Sequence, residues 1–273
     1  MKPAAFDYLC AATTQDALDA LASGGEDARV LAGGQSLMAV LNMRLAQPRM
    51  LVDISRTEEL GTVRVDREAG FMEVGAAATQ GSVEWRPTLH DEVPLLALAF
   101  PHISHFQIRN RGTVCGSIAH ADPSAELPLV LTALGGSVRL RSQKKTRELA
   151  AADFFQGMLM TAREPDELVQ AVRFPLKQPG ERFGFTECSA RHGDFAIVAC
   201  AAVVTDSAIR LAVGGVADQP TLETWPRLRG DDLHGALNDL SWKLGAQDSA
   251  HISATYRRHL VRQLGWRAIE EAK

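Results

Sequence analysis

Apolar and polar positions follow two rhythms over the first 55 residues. Apolar runs rich in strand-forming residues occupy positions 6–11, 28–34 and 49–55. Between them, residues 13–25 carry apolar side chains three and four positions apart, and residues 36–45 are predicted to form a second helix. The order strand, helix, strand, helix, strand predicts a small α/β unit with parallel strands.

The pattern changes after this unit. Residues 62–79 are predicted to form two short strands joined near Glu68–Gly70, and residues 83–100 are predicted to be mostly helical. A loop containing Gly and Asn is expected at 107–128. Three further strands complete a second, α+β unit: 137–142, 145–149 and 168–175.

The last hundred residues show a third pattern. Residues 182–188, 195–204 and 208–216 resemble three antiparallel strands, and residues 253–272 are predicted to form an amphipathic helix. Its apolar positions recur every four residues at Ile252, Tyr256, Leu260 and Leu264. The chain is therefore expected to be α+β, with three units at residues 1–56, 57–176 and 177–273.

Composition narrows the function classes. The chain of 273 residues is 46% hydrophobic and carries a formal net charge of −4, which argues against nucleic acid as the main partner. The basic stretch Arg139–Arg147 is predicted to be a β-hairpin with a solvated tip, the alternative being a docking surface for a partner.

The four cysteines are far apart, at Cys10, Cys115, Cys188 and Cys200. No C-x-x-C spacing exists, so no metal site or iron–sulfur cluster is expected within this chain. The N-terminus has no apolar signal region, and no apolar stretch reaches 18 residues. We expect a cytoplasmic protein with reduced thiols and no transmembrane segment.

The stretch Leu31–Leu37 (LAGGQSL) joins a predicted strand to a predicted helix. Gly33 and Gly34 lack the Cβ that would block an oxyanion from the backbone amides, and Ser36 is a suitable N-cap and phosphate donor. The alternative is a simple connector. Neither a P-loop nor a Rossmann glycine fingerprint is present.

A second stretch of small residues covers Arg109–Pro128 (RNRGTVCGSIAHADPSAELP). Its glycines and alanines leave backbone amides approachable, and its hydroxyl and carboxyl groups suit a polyol or a ribose. The alternative is an ordered loop capped by Asp and Pro. Two such stretches in different units suggest one extended ligand lying between them.

These stretches, with RHGDFAIVACAA (Arg191–Ala202) and YRRHLVRQLGWRAI (Tyr256–Ile269), resemble the FAD-binding medium subunit of the molybdenum hydroxylases, the carbon monoxide dehydrogenase and xanthine dehydrogenase flavoprotein family. The resemblance covers essentially the whole chain. It implies a two-subdomain FAD-binding fold of the PCMH/VAO type, followed by a C-terminal α+β domain with a three-stranded antiparallel sheet and helices.

The resemblance also implies a set of FAD-binding positions. The pyrophosphate loop of the family matches Ala32, Gly33, Gly34, Gln35, Ser36 and Leu37. The segment along the flavin and the ribityl chain supplies Thr113, Gly116, Ser117, Ala119, His120, Ala121, Asp122 and Glu126. Ile103 is the nearest match to an apolar residue that packs on the flavin, and Leu168 and Val169 are implied to flank its ring.

Three positions depart from the family pattern. Cys115 replaces a glycine, and an inert buried thiol is the favoured interpretation, a thiol close to the flavin being the alternative. Ser117 stands where Asn is common. Glu187 stands where some relatives carry a lysine near the ring, so a less positive flavin environment is expected.

The resemblance implies an electron-transfer subunit with no catalytic residue of its own. A large subunit with a molybdopterin cofactor oxidises CO, an aldehyde, a purine or an N-heterocycle. A small subunit passes the electrons through [2Fe–2S] clusters to FAD on this chain, in a dimer of heterotrimers. The alternatives are a self-sufficient FAD-dependent oxidoreductase of the same fold and a module that has lost its flavin.

Overall fold

Three main sheets organise the computed structural model, which describes residues 2–272. The elements of the first are β1 (Asp7–Cys10), α1 (Thr14–Gly24), β2 (Ala28–Leu31), α2 (Leu37–Asn42) and β3 (Met50–Asp53). The strands are parallel, as predicted, and they lie in the order β1-β3-β2. Helix α2 is shorter than predicted because Arg44 adopts a left-handed φ of 58°, which a helix cannot continue through.

The second sheet has five antiparallel strands in the order β4-β5-β10-β6-β7. The elements of this part are β4 (Val63–Asp66), β5 (Phe71–Gly75), α3 (Gln80–Glu84), α4 (Leu89–Glu92), α5 (Pro94–Ala99), α6 (Phe106–Arg109), α7 (Val114–His120), α8 (Glu126–Leu134), β6 (Ser137–Arg141), β7 (Thr146–Ala150), α9 (Ala151–Phe154), β8 (Phe155–Gly157), β9 (Met160–Thr161) and β10 (Leu168–Pro175). The predicted strands are confirmed. The small hairpin β8–β9 was not predicted.

The expected loop at 107–128 is wrong, because α6, α7 and the start of α8 lie within it. Thr113 caps α7 by accepting a hydrogen bond at Oγ1 from the amide of Gly116, at 3.0 Å. The inner side of this helix is buried and consists of Val114, Cys115 and Ile118. A helix of seven residues is therefore held by its cap and its packing rather than by a long periodic pattern.

The basic stretch 139–147 is the predicted hairpin of β6 and β7. Several of its charges are paired within the chain: Arg147 pairs with Glu167 at 2.7 Å, and Arg139 pairs with Glu73 at 3.1 Å. The tip is solvated, with Gln143 exposed, yet Gln143 donates a hydrogen bond to Asp19 of α1. The hairpin therefore ties the second sheet to the first.

The third sheet has four strands, not the three predicted. The elements are β11 (Arg182–Ser189), β12 (Ala196–Val204), β13 (Ala208–Gly214), β14 (Thr221–Pro226), α10 (Gly230–Lys243) and α11 (Ala254–Glu271). Strand β14 was not predicted because its side chains are all partly or fully exposed, which leaves no apolar face to detect.

The predicted apolar stripe of the last helix is partly wrong. Ile252 precedes α11 and Tyr256 is exposed, whereas Val261 and Ala268 are buried together with Leu260. A spacing of four residues advances about 40° beyond one turn, so a strict four-residue stripe rotates away from the core.

The third sheet separates two hydrophobic clusters. Ala199 and Ala201 of β12 face the cluster that also holds the first two sheets, and Val198 and Cys200 face α10 and α11. Because strand side chains alternate, one face of the third sheet packs against the first two sheets and the other face packs against α10 and α11. Within residues 2–272, no helix is long and apolar enough to cross a membrane.

Candidate functional site

The two predicted binding stretches touch each other at Gly33. A Cβ on Gly33 would lie 2.2 Å from the carbonyl oxygen of Arg111 and 2.6 Å from the Cα of Gly112. Both neighbours are backbone atoms, so only glycine fits without moving one stretch away from the other. The structure therefore brings together the two stretches that the sequence pairs.

The stretch around Gly33 offers free backbone donors. No acceptor within residues 2–272 bonds the amides of Gly33, Gly34, Gln35 and Ser36. Gly34 has a φ of +72°, a conformation that side chains disfavour. Consecutive free amides beside glycine are the chemistry that holds a phosphate, so these residues fit a pyrophosphate.

Ser36 occupies the N-cap position of α2 but does not cap it with its side chain. Its backbone is helical (φ −93°, ψ −46°), and the capping bond needs an extended residue there. The predicted capping role is therefore wrong. Gln35 and Ser36 are exposed, and Ala32 and Leu37 are partly buried beside them.

The N-terminus of α7 is bonded to the segment that follows β5. Thr79 and Thr113 form an antiparallel bridge, and the amide of Gln80 donates to the carbonyl of Gly112 at 2.7 Å. Thr113 is buried, and its hydroxyl accepts the capping bond from Gly116. Its observed role is to position α7.

Gly116 also supports this cap. A Cβ there would lie 2.7 Å from Oγ1 of Thr113. Gly116, Ser117 and His120 are partly buried, and Ala119 is exposed. The predicted positions from Gly116 to His120 thus belong to a short helix rather than to a loop.

The end of α7 turns sharply toward the third sheet. Ala121 ends the helix in a left-handed conformation (φ 53°). Oδ1 of Asp122 accepts a hydrogen bond from the amide of Ser124 at 2.8 Å, forming an Asx turn. The carbonyl of Pro123 accepts a hydrogen bond from the amide of Gly215, also at 2.8 Å. The predicted Ala121–Glu126 stretch is therefore fixed against β13.

The three predicted apolar contact residues are all buried. Ile103 is 8% exposed, and Leu168 and Val169 lie in β10, at the centre of the second sheet. Arg109 donates through Nη1 to the carbonyl of Ile103 at 2.8 Å. A contact of these side chains with a flavin ring stays a prediction.

Cys115 is buried in α7. Its Sγ lies 3.3 Å from the carbonyl oxygen of Val74, to which it can donate, and burial raises the pKa of the thiol far above its usual range. A thiol that stays protonated is a poor nucleophile. The structure agrees with the interpretation of an inert buried cysteine.

Two carboxyl groups at the junction with the third sheet have raised pKa values. Burial raises the pKa of Glu126 to about 7, and the nearby charge of Asp122 adds to this. Burial and the charge of Glu126 raise the pKa of Glu187 to about 8. Glu187 is therefore largely protonated at neutral pH, and its position carries less negative charge than the sequence suggests.

Two residues that support the site, Gln80 and Glu84, were not predicted from the sequence. Gln80 is 6% exposed, and its Oε1 has no hydrogen-bond partner within residues 2–272, although its backbone amide donates to the carbonyl of Gly112. Glu84 forms an ion pair with Arg109, whose Nη1 donates a hydrogen bond to the carbonyl of Ile103. The hydrogen bond from Ser82 to the N-cap Thr79 marks the start of α3, but no sequence signal reveals its long-range contacts.

A family model for the FAD-binding domain in molybdopterin dehydrogenase matches residues 4–177. The chain belongs to this FAD-binding family. The medium subunit of nicotine 6-hydroxylase from Paenarthrobacter nicotinovorans is 36% identical over 284 residues, covering 100% of this chain and 99% of that relative. The carbon monoxide dehydrogenase medium chain of Afipia carboxidovorans is 32% identical and covers 100% and 98%.

Solved structures agree with this assignment. One is a crystal structure of Cu,Mo-CO dehydrogenase in its cyanide-inactivated form, with a TM-score of 0.93 and 30% identity over 100% of this chain and 99% of that chain. Another is quinoline 2-oxidoreductase from Pseudomonas putida 86, with a TM-score of 0.92 and 32% identity over 100% and 98%. This member of the FAD-binding family is therefore an oxidoreductase subunit with the medium-subunit fold, and its free amides and glycine cradle fit FAD.

Proposed function

We propose that this chain is the electron-transfer subunit of a cytoplasmic molybdenum hydroxylase. FAD supplies the redox chemistry: it takes up electrons and gives them to an external acceptor. The electrons come from a small [2Fe–2S] subunit, after a large molybdopterin subunit has oxidised CO, an aldehyde, a purine or an N-heterocycle. The assembly is a dimer of heterotrimers.

The observation that carries the proposal is the contact of Gly33 with Arg111 and Gly112. It joins a stretch of free amides to a second stretch of small residues. In this proposal the amides of Gly33–Ser36 hold the pyrophosphate. Residues Thr113–Glu126 then run beside the ribityl chain and the flavin, and Ile103 supplies an apolar contact.

We also propose the domain division at 1–56, 57–176 and 177–273. Each proposed unit contains one main sheet, which supports the division. The first two units and one face of the third sheet share a single hydrophobic cluster. They would therefore act as one rigid support for the cofactor.

Purification of the tagged chain from the cells that make it tests the proposal. We expect two partner subunits, one larger and one smaller than this chain. We also expect one FAD per chain, and molybdenum and iron in the complex. Rapid mixing of the complex with a substrate of its large subunit should then bleach the flavin absorption. The same complex without the small subunit should leave the flavin oxidised.

Two results would contradict the proposal. A stable monomer that oxidises an organic substrate alone would favour the self-sufficient FAD-dependent oxidoreductase. A folded protein that retains no flavin absorption would favour a module without FAD.

A further inference from the structure

Gln80 is the first residue of α3, and its backbone is fixed where the two FAD stretches meet. The preceding residue, Thr79, is the N-cap of α3 and forms a bridge with Thr113. The amide of Gln80 donates to the carbonyl of Gly112 at 2.7 Å. Gly112 in turn lies against Gly33. The side chain of Gln80 therefore begins at the junction of the two stretches.

The carboxamide of Gln80 reaches toward the stretch of free amides. A Cβ on Gly112 would lie 3.4 Å from Nε2 of Gln80 and 3.5 Å from Cγ of Gln35. The two glutamine side chains thus meet over Gly112, one coming from α3 and the other from the stretch that precedes α2. The side chain of Gln35 is held in place, because its Nε2 donates to the carbonyl of Gly33 at 2.8 Å.

The carboxamide forms no hydrogen bond at either end. Gln80 is only 6% exposed, and its Oε1 is buried without a partner anywhere in residues 2–272. Nε2 likewise finds no acceptor in the described part of the chain, but it is not shielded from solvent. A buried oxygen without a partner costs stability. The carboxamide therefore does not stabilise the free chain, and its accessible NH₂ group is left for a ligand.

The accessible end of the side chain has the chemistry of an anion-binding group. Amide N–H groups are donors, and phosphate oxygens accept several such bonds at once. The free backbone amides of Gly33–Ser36 already form a donor set of this kind. The acidic residue of α3, Glu84, is paired with Arg109 and does not occupy the NH₂ group.

We propose that Gln80 is a further pyrophosphate-binding residue, whose Nε2 donates to a phosphate oxygen of FAD. The inference rests on the proposed function, which assigns the pyrophosphate to the amides of Gly33–Ser36. Gln80 adds a side-chain donor from the second proposed unit to the backbone donors of the first. The cofactor thereby links α3 to the stretch that precedes α2.

Gln80→Met tests the role, because methionine has the same unbranched length but no donor. Calorimetric titration of the flavin-free full chain with FAD should give a dissociation constant roughly 10-fold to 100-fold above the wild-type value, as expected for one lost hydrogen bond to a charged group. The urea midpoint of the flavin-free variant should equal or exceed that of the wild type, because the unpartnered oxygen is gone. An unchanged FAD dissociation constant would overturn the proposal, and so would a lower midpoint, which would show a structural role.

Gln80→Glu is a second variant of nearly the same shape, in which an oxygen replaces the NH₂ group. A carboxylate beside a pyrophosphate repels it, so the FAD dissociation constant should rise at least as much as in Gln80→Met, and added salt should reduce the effect. Binding of FAD at wild-type strength by this variant would refute the proposal.

Gln263→Met is the matched control, because Gln263 is an exposed residue of α11 whose side chain makes no hydrogen bond within residues 2–272. Both its FAD dissociation constant and its urea midpoint should stay at the wild-type values. Wild-type protein that binds no FAD would refute the proposed function and this inference with it. Wild-type binding that Gln80→Met leaves unchanged would refute the inference alone.

Discussion

Arg109 and Glu84 form a bidentate ion pair, with 2.7 Å between Nε and Oε2 and 2.8 Å between Nη2 and Oε1. The two side chains are only 10% and 13% exposed. The third nitrogen, Nη1, donates to the carbonyl of Ile103 at 2.8 Å. One guanidinium therefore fixes the positions of α3, α6 and the turn that carries Ile103.

Glu84→Ala should destabilise the protein by about 3–5 kcal/mol, because it leaves a buried guanidinium without its charge partner. Urea unfolding measures this loss. The control is Glu271→Ala, which removes an exposed pair with Arg267 and should cost no more than about 0.5 kcal/mol. Equal losses in the two variants would show that the Arg109 pair is not special.

Gly33→Ala should weaken FAD binding strongly and cost about 1–3 kcal/mol of stability, because its Cβ would collide with the backbone of Arg111. The measurements are the flavin content of the purified protein and its urea midpoint. Gly235→Ala is the matched control, since within residues 2–272 a Cβ there would have no neighbour within 4 Å beyond its own turn of helix. Gly235 lies inside α10, so this change should stabilise the helix by about 0.5–1 kcal/mol and keep FAD. Full retention of FAD by Gly33→Ala would show that the contact of the two stretches is dispensable.

Thr113→Ala should cost about 1 kcal/mol, because it removes the cap of α7. Thr113→Ser keeps the hydroxyl and should recover most of this loss. Ser253→Ala removes the corresponding cap of α11, a helix that holds none of the predicted FAD positions, and should lower stability without lowering FAD affinity. If Thr113→Ala and Ser253→Ala affect FAD binding alike, the cap of α7 has no specific role at the site.

The four thiols should differ in their reactivity. Cys10 is exposed and should be alkylated first in the native protein, whereas Cys115 and Cys200 are buried and should stay unmodified until the chain unfolds. Burial raises the pKa of both buried thiols, so even the few reagent molecules that reach them meet little thiolate. Peptide mass spectrometry after timed alkylation gives the order. Early modification of Cys115 would contradict its placement in the core.

Stability should fall as the pH rises from about 4.5 to about 8. The folded pKa values of Glu126 and Glu187, about 7 and about 8, both lie above the ordinary value of 4.5. The folded chain therefore binds more protons than the unfolded chain in this window, and each proton lost favours unfolding. Urea unfolding at several pH values should show a shallower slope for Glu187→Gln. An unchanged slope would mean that Glu187 titrates normally in the folded protein.

Local patterns were enough to predict the parallel unit, the strands of the second sheet and the two small-residue stretches. The first sheet could be predicted because its apolar strands and its capped helix α1 alternate over short distances along the chain. In α1, Thr13 and Asp16 form a reciprocal capping box, which is itself a sequence signal. These features depend on neighbouring residues only.

The features that were missed depend on distant residues. Helix α7 is too short to show a helical period, and its packing against Val74 and Ala78 comes from another part of the chain. Strand β14 buries no side chain fully, so only its hydrogen bonds to β13 define it. The raised pKa values of Glu126 and Glu187 come mainly from burial, which depends on elements far away in the sequence.

The stretch from Arg111 to Glu126 contacts all three sheets. It meets the first at Gly33, the second through the Thr79–Thr113 bridge, and the third through the bond between Pro123 and Gly215. A backbone break within this stretch would leave these attachments on two separate fragments. A split version of the protein should therefore reassemble only if the break lies elsewhere, for example at the exposed Gln178–Gly180 turn between β10 and β11.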